Sequence, residues 1–371
     1  MRAAGRTGFL HRRFFHASHR SAVPSCLISL GANLDSREQA VREALRRINQ
    51  HPHIQLVATS RLHITQPAGG PPDQPDFVNA AAKLETSLPP DELLDFLLAV
   101  ETDLGRSRGQ RWEARQIDLD LLLYDTLVLK TAALSVPHPR LAFRRFVLVP
   151  AAEIAADMIH PTTGWTIRRL LEHLNGAANY VAITGVCGSA RKQLARSAAV
   201  AGEVEILHDP AEALGLAPEH DRAGLELDVQ LEFLRRRAKL IQERLGRQPQ
   251  DAIFYVSDYW LGESELYARL TLEPPERDVL QSTIEQLRIG DVRPMLLVFL
   301  DDSNQKSQVQ ERPDLPEKFQ RELSHQIARS PETPVLTLAA DDPTWATAEV
   351  TAAIQAMQSR EPRVESQSDR K

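Results

Sequence analysis

Arg115-Gln-Ile-Asp118-Leu-Asp120-Leu-Leu-Leu places two carboxylates two residues apart inside an apolar run. Ile117, Leu119, Leu121 and Leu123 alternate with Asp118 and Asp120, the period of a strand with one apolar face. Residues i and i+2 project from the same side, with Cα atoms roughly 6.5–7 Å apart. Carboxylates that close repel each other and are costly to bury unless cations neutralise them. Two Mg²⁺ ions held by such a pair and by substrate phosphates remove that cost and suit phosphoryl transfer. Arg106, Arg108, Arg111 and Arg115 stand just upstream, where they can meet polyphosphate oxygens. Taken alone, D-x-D also reads as an edge strand whose aspartates face water; the arginine cluster favours the metal site.

The elements that must position these groups divide into two units. A chain of 371 residues exceeds one typical domain. Its 42% hydrophobic and 25% charged residues are those of a soluble globular protein. A net charge of −6 argues against a general nucleic-acid binder, and no stretch has the apolar length of a membrane span. Cys26 and Cys187 are far apart and outside any C-x-x-C pattern, which fits a reducing cytoplasm and leaves no disulfide framework. Residues 1–24 carry five arginines and no acid, and read as a basic disordered extension. Residues 25–175 form the first unit and 179–358 the second, with 359–371 a polar disordered tail.

In the first unit, Cys26–Leu30 reads as a strand, Ala40 to Ile48 as a helix, and 53–65 and Phe77–Leu84 as extended segments. The Pro- and Gly-rich run from Gln66 to Pro75 is loop, and Pro90 opens a helix that ends at Gly105. With the aspartate strand the order is β-α-β-β-α-β, which predicts an α+β ferredoxin-like core with helices on one face of an antiparallel sheet. In the second unit Tyr180–Thr184, Ala252–Ser257, Met295–Leu300 and Val335–Ala339 are strand candidates separated by helical segments. That alternation predicts an α/β unit with a parallel sheet. The joint at Asn175-Gly-Ala-Ala178 is short enough for the units to touch.

Several motifs of the first unit, in order, resemble 6-hydroxymethyl-7,8-dihydropterin pyrophosphokinase. They are Gly31-Ala-Asn-Leu34, Thr65-x-Pro67-x-Gly69 with Asp73-Gln-Pro-Asp-Phe77-Val-Asn79, and Glu101-Thr-Asp-Leu-Gly105-Arg106-x-Arg108. Arg111-Trp112-x-x-Arg115-x-x-Asp118-x-Asp120 and Pro137-His138-Pro139 with Arg144-x-Phe146 complete the set. The resemblance spans residues 26–174. It implies ATP-dependent transfer of pyrophosphate to a pterin alcohol in folate biosynthesis. It further implies that Asp118 and Asp120 ligate two Mg²⁺ ions and that Arg106 and Arg115 stabilise the transferred diphosphate. Phe77 and Phe146 would sandwich the pterin, whose edge Asn79 and Thr65 would read. Glu101, Arg108, Arg111, Trp112, His138 and Arg144 would serve the ATP side. Read without it, Phe77 and Phe146 are more readily core aromatics, Arg108 and Arg111 solvated charges, Trp112 beside Arg111 a surface cation–π pair, and His138 a loop residue. The loop between Gly69 and Asp73 is one residue longer than the family pattern, the Arg108–Trp112 loop one shorter, and Glu113-Ala114 stands where Gly-Pro is usual.

Residues 179–340 faintly resemble deoxynucleoside kinases, through Tyr180-Val-Ala-Ile-Thr-Gly185-Val-Cys-Gly188-Ser189, Gln230-Leu-x-Phe233-Leu-x-x-Arg237 and Ser257-Asp258. A phosphate-binding loop needs G-x-x-x-x-G-K-[ST]. Here Ala190 stands for the second glycine, Arg191 for lysine, and Gln193 supplies no hydroxyl after Lys192. The expectation is a P-loop-kinase-like unit that has lost catalysis and serves association, including a homo-oligomer, or regulation. The first unit is then expected to keep its reaction when cut near Asn175. Two alternatives are a non-catalytic pterin- or nucleotide-binding protein and a bifunctional enzyme with an active nucleoside kinase.

Overall fold

The computed structural model describes residues 23–34, 36–68, 74–106, 115–210, 227–245, 253–287, 292–301, 314–329, 332–359 and 363–364. The first sheet is built from β1 (Ser25–Ala32), β2 (Ile54–Thr59), β3 (His63–Thr65), β4 (Phe77–Thr86) and β5 (Asp118–Tyr124). Helix α1 (Arg37–Gln50) joins β1 to β2, and α2 (Pro90–Asp103) joins β4 to β5. Strand β4 pairs with β1, β2 and β3, and β1 pairs with β5, all antiparallel. Both helix crossovers therefore skip over an intervening strand, the split arrangement that lets each helix lie flat on the sheet.

Alternation sorts the strand side chains to two faces. Ile28, Leu30, Ala80, Ala82, Leu119 and Leu121 face α1 and α2 in one apolar cluster. Leu27 and Ala81 point the other way, and that face is covered as well. After the ribbons β6 (Leu129–Lys130) and β7 (Ser135–Val136) and a 3₁₀ turn at Leu141–Phe143, α3 (Arg145–Ala155) packs there. The strict alternation expected along 117–123 breaks beyond Leu121. Ile28 pairs with Leu121 and Leu27 with Leu123, so Leu122 is an extra residue, and Leu122 and Leu123 are both buried in the α3-side cluster.

A small ribbon, β8 (Ile159–His160) with β9 (Trp165–Thr166), leads to α4 (Ile167–Gly176), and Ala177 alone separates α4 from β10 (Ala178–Thr184). The second sheet runs β11 (Glu205–Leu207), β12 (Tyr255–Ser257), β10, β13 (Pro294–Asp301), β14 (Val335–Ala339), parallel throughout. It is flanked by α5 (Gly188–Gly202), α6 (Leu227–Leu245), α7 (Gly262–Thr271), α8 (Pro274–Gln286), α9 (Asp314–Arg329) and α10 (Pro343–Gln358). The sequence reading missed β11, a three-residue edge strand.

The α3-side cluster does not stop at the end of the first sheet. It includes Val147 and Leu148 of α3, Val181 and Ile183 of β10, and Val350 and Ile354 of α10, so one apolar core joins the two sheets. The tail expected to be disordered also returns. Arg363 and Val364 form β15, paired antiparallel with Ile64 and His63 at the edge of the first sheet. Open backbone groups on β3 supply the partner such a short strand needs. Among the described residues no helix is long and apolar enough to cross a membrane. The basic extension, apart from Val23 and Pro24, lies outside the described residues.

Candidate active site

The register of three strands builds the site. Asn79 on β4 lies opposite Gly31 on β1, which lies opposite Asp118 on β5. The next row on the same face is Ala81, Ser29 and Asp120. Small residues at the centre of both rows leave space between an amide on one side and two carboxylates on the other. A Cβ added to Gly31 would stand 3.2 Å from the Asn79 side-chain oxygen, so the floor has no room to spare there. The resulting cavity, about 170 Å³, is lined by Thr65, Phe77, Asn79, Arg115, Asp118, Asp120, His138, Arg144 and Phe146 among the expected residues.

At the amide end, Asn79 donates to the Thr65 hydroxyl at 2.7 Å, and both are buried. This bond fixes which way the amide faces and leaves its carbonyl toward Gly31. Phe77 and Phe146 come from different elements, β4 and α3, and reach the same cavity while remaining half-buried. His63, across from Asn79, is turned into the protein, with Nε2 3.0 Å from Glu153 on α3.

At the carboxylate end, charges are tightly interlocked. Asp118 Oδ1 meets Arg115 at 2.8 Å and Arg106 at 3.0 Å. Arg106 also pairs with Glu101. Glu101 is buried beneath the cavity and not on its wall, accepting from the Leu119 N–H at 2.6 Å. Its contacts are to Arg106 and the aspartate strand, and it does not line the cavity with His138 and Arg144. Burial pushes the Glu101 carboxyl up to about 7 against the pull of Leu119 and Arg106. Asp118 is raised as well, by burial and by the neighbouring Asp120 charge, despite both arginines.

His138 Nε2 lies 4.0 Å from Asp120 and the Arg144 guanidinium 3.8 Å from it. Burial, reinforced by Arg144 and Arg140, lowers His138 to about 3, so the imidazole is neutral and its contact with Asp120 is not an ion pair. The Arg140 N–H donates to Nδ1 at 3.2 Å, which puts the ring proton on Nε2, toward Asp120. Burial also brings Arg144 down to about 10.

Asn33, inside the first motif, is a buried clamp. Its carbonyl accepts from the Arg115 N–H at 2.7 Å, and its amide reaches Gln74 and Pro75 at 3.4 Å. The start of the aspartate strand and the end of the proline-rich loop are thus held by one side chain. Sequence reading also missed Arg140, which lines the cavity and pairs with Glu349 of α10. Its position directly after Pro137-His138-Pro139 was the available signal. Arg108, Arg111, Trp112 and the two altered loops lie outside the described residues.

The donor set fits Mg²⁺. Asp118 and Asp120 share a face and keep 27% and 31% of their side-chain surface exposed, offering hard oxygens from the cavity wall. Mg²⁺ is commonly held by one or two carboxylates together with substrate phosphates and water, which is the number of carboxylates this wall offers.

In the second unit, the residue standing for the phosphate lysine faces inward. Arg191 is buried, donating to Glu263 at 2.7 Å and to the Gly185 carbonyl at 2.8 Å. Thr184 donates to the same Glu263 oxygen at 2.6 Å. Asp258 is likewise engaged, accepting from the Asp209 N–H at 2.7 Å.

Comparison with known proteins gives three results that bear on these sites. A model of the 7,8-dihydro-6-hydroxymethylpterin-pyrophosphokinase (HPPK) family matches residues 27–156. The 2-amino-4-hydroxy-6-hydroxymethyldihydropteridine pyrophosphokinase of Haemophilus influenzae is 43% identical over 136 residues, covering 37% of this chain and 84% of that protein. That of Pseudomonas aeruginosa is 43% identical over 134 residues, covering 36% and 82%. Among solved structures, a deoxyadenosine kinase from M. mycoides is 14% identical with a TM-score of 0.36, covering 46% of this chain and 96% of that one, a likeness too slight to carry an argument. The pyrophosphokinase matches fall on the strands, helices and turn that enclose the cavity, and on that ground the chain belongs to the 7,8-dihydro-6-hydroxymethylpterin-pyrophosphokinase family.

Proposed function

We propose that the cavity around Asp118 and Asp120 is where this chain transfers pyrophosphate from ATP to 6-hydroxymethyl-7,8-dihydropterin, its family's reaction in folate synthesis. The observation that carries this reading is the pair of rows across β4, β1 and β5. They set a pterin-sized slot with amide and aromatic groups beside two carboxylates ringed by arginines.

Phe77 and Phe146 would enclose the flat ring, and the Asn79 amide, oriented by Thr65, would read its donor–acceptor edge. Asp118 and Asp120 would hold two Mg²⁺ ions, which would supply positive charge to offset that of the triphosphate. Arg106 and Arg115, now paired with Asp118, are placed to turn to the diphosphate as charge moves onto the leaving oxygen. Glu101 keeps Arg106 within reach throughout, because its other contact is to the strand itself. His138, neutral, offers an N–H and no charge near Asp120. The pterin hydroxyl oxygen bonds to the β-phosphorus and releases its proton to water as the bond from that phosphorus to the α,β-bridging oxygen breaks. AMP leaves, and the diphosphate moves as one group.

We read residues 25–175 as a ferredoxin-like unit, supported by its strand order and antiparallel pairing, and 179–358 as a kinase-like unit without catalysis, supported by the inward Arg191. The reaction assignment is tested by chromatography of the full chain with ATP, Mg²⁺ and the pterin alcohol. AMP and pterin diphosphate are the expected products; ADP as the sole nucleotide product contradicts it.

A further inference from the structure

Glu349 lies on α10 of the second unit, 209 residues along the chain from Arg140. The two side chains meet as a fork, with Nε 2.8 Å from Oε2 and Nη2 2.5 Å from Oε1. Glu349 is 3% exposed and Arg140 19%, so the pair is largely withdrawn from water. A bidentate contact of this kind fixes the plane of a guanidinium as well as its position. Arg140 lines the cavity beside Asp120, His138 and Arg144. Its own backbone N–H holds the His138 ring. Glu349 therefore reaches, through one residue, the wall that would face the triphosphate.

The contact is not an isolated surface pair. Phe143, Val147 and Leu148 around Arg140 share an apolar cluster with Val350, Ile354 and Met357 around Glu349. Exposed ion pairs contribute little because both partners stay solvated and mobile. Here packed elements on both sides hold the carboxylate in place, so the guanidinium is oriented before substrate arrives.

We propose that Glu349 is a positioning residue for pyrophosphoryl transfer: the second unit, in place of a phosphorylation activity of its own, supplies the carboxylate that sets Arg140 against the triphosphate. This rests on the reading of the cavity as the pyrophosphokinase site. It adds to the expectation that the first unit, cut near Asn175, keeps its reaction: without Glu349 the rate at limiting ATP should fall.

The test uses the full chain and steady-state AMP formation, with thermal melting of each variant alongside. Glu349→Gln keeps the shape and removes the charge; it is expected to lower kcat/KM for ATP about ten-fold, as loss of residues that orient a site's ligands commonly does. KM for the pterin should move by less than about two-fold, since Arg140 is not among the residues assigned to the ring. Added to Arg140→Ala, Glu349→Gln should cost nothing further, because it acts through that arginine. Wild-type kinetics in Glu349→Gln, or losses that multiply in the double variant, overturn the proposal. If Glu349→Gln loses its cooperative melt, Glu349→Asp, which keeps the charge one methylene short, carries the same comparison. An unaltered chain that forms no AMP contradicts the reaction assignment instead. Binding of a non-hydrolysable ATP analogue then decides the role of Glu349: weakened in the Glu349 variants if it positions Arg140, unchanged if it does not.

Discussion

Asp118 and Asp120 carry the account at the scale of single residues. Each is exposed enough to ligate a cation, and burial with the neighbouring Asp120 charge raises the Asp118 carboxyl. Asp118→Ala and Asp120→Ala are expected to reduce AMP formation below about a tenth of the wild-type rate at saturating Mg²⁺. The melting temperature should change little, since removing one of two repelling carboxylates relieves the strand. A variant that keeps its rate removes that residue from the mechanism. In the proposed reaction Arg115 would act on the transferring group, where a positioned cation is worth several kcal/mol, about 10²-fold or more. Arg115→Ala should therefore lower kcat while KM for the pterin holds; a rise in KM alone would make it a plain binding residue. The paired aspartates and their arginines were legible in the sequence because their spacing is local. That Glu101 turns beneath the cavity was not, since its carboxylate is claimed by Leu119 and Arg106, a choice made by packing.

Among the elements, strands of the first sheet followed their apolar period closely, because one face meets α1 and α2 continuously. The reading failed where that logic weakens. Leu122 is squeezed into β5 where a second helix, α3, covers the far face and both sides of the strand are buried. Strand β11 spans three residues, too few for any period to register. The turn from β10 into α5 reads in the sequence as a degenerate phosphate-binding loop, and its geometry is consistent with that reading. Arg191 is committed to Glu263 and the Gly185 carbonyl, inside the protein. Releasing a buried guanidinium from a buried carboxylate costs several kcal/mol, more than a phosphate contact in water returns. The full chain given ATP, Mg²⁺ and any of the four deoxynucleosides, without pterin, should form no deoxynucleoside monophosphate. Measurable phosphorylation would overturn this view of the second unit.

Among the described residues the two sheets share a core. No local pattern could have announced the Arg140–Glu349 contact or the pairing of β15 with β3, because each joins residues separated by most of the chain. Several histidines are buried in this core and its borders. Burial lowers His160 to about 4 and His138 to about 3, and lowers His63 and His173 as well. Each binds its proton more weakly folded than unfolded, where the value is near 6.5. As pH falls below 6.5 the unfolded chain takes up more protons, so stability present above that pH is lost progressively toward pH 4. The slope is about 1.4 kcal/mol per pH unit for each histidine kept neutral. Glu101, raised to about 7, and Asp118, raised as well, oppose this, since each gains a proton in the fold before it does in the unfolded chain. Denaturant unfolding should give lower stability at pH 5.5 than at pH 7.5, and His160→Asn should narrow the gap. Equal or greater stability at pH 5.5 would show that these histidines are protonated in the fold.

The central claim is that the diphosphate leaves ATP as one group at the cavity of the first sheet, and the fate of the β-phosphorus tests it most directly. With ATP labelled at the β-phosphate, the full chain should deliver all transferred label to the pterin product and leave AMP unlabelled. Label retained in ADP, with only the γ-phosphate appearing on the pterin, would contradict it.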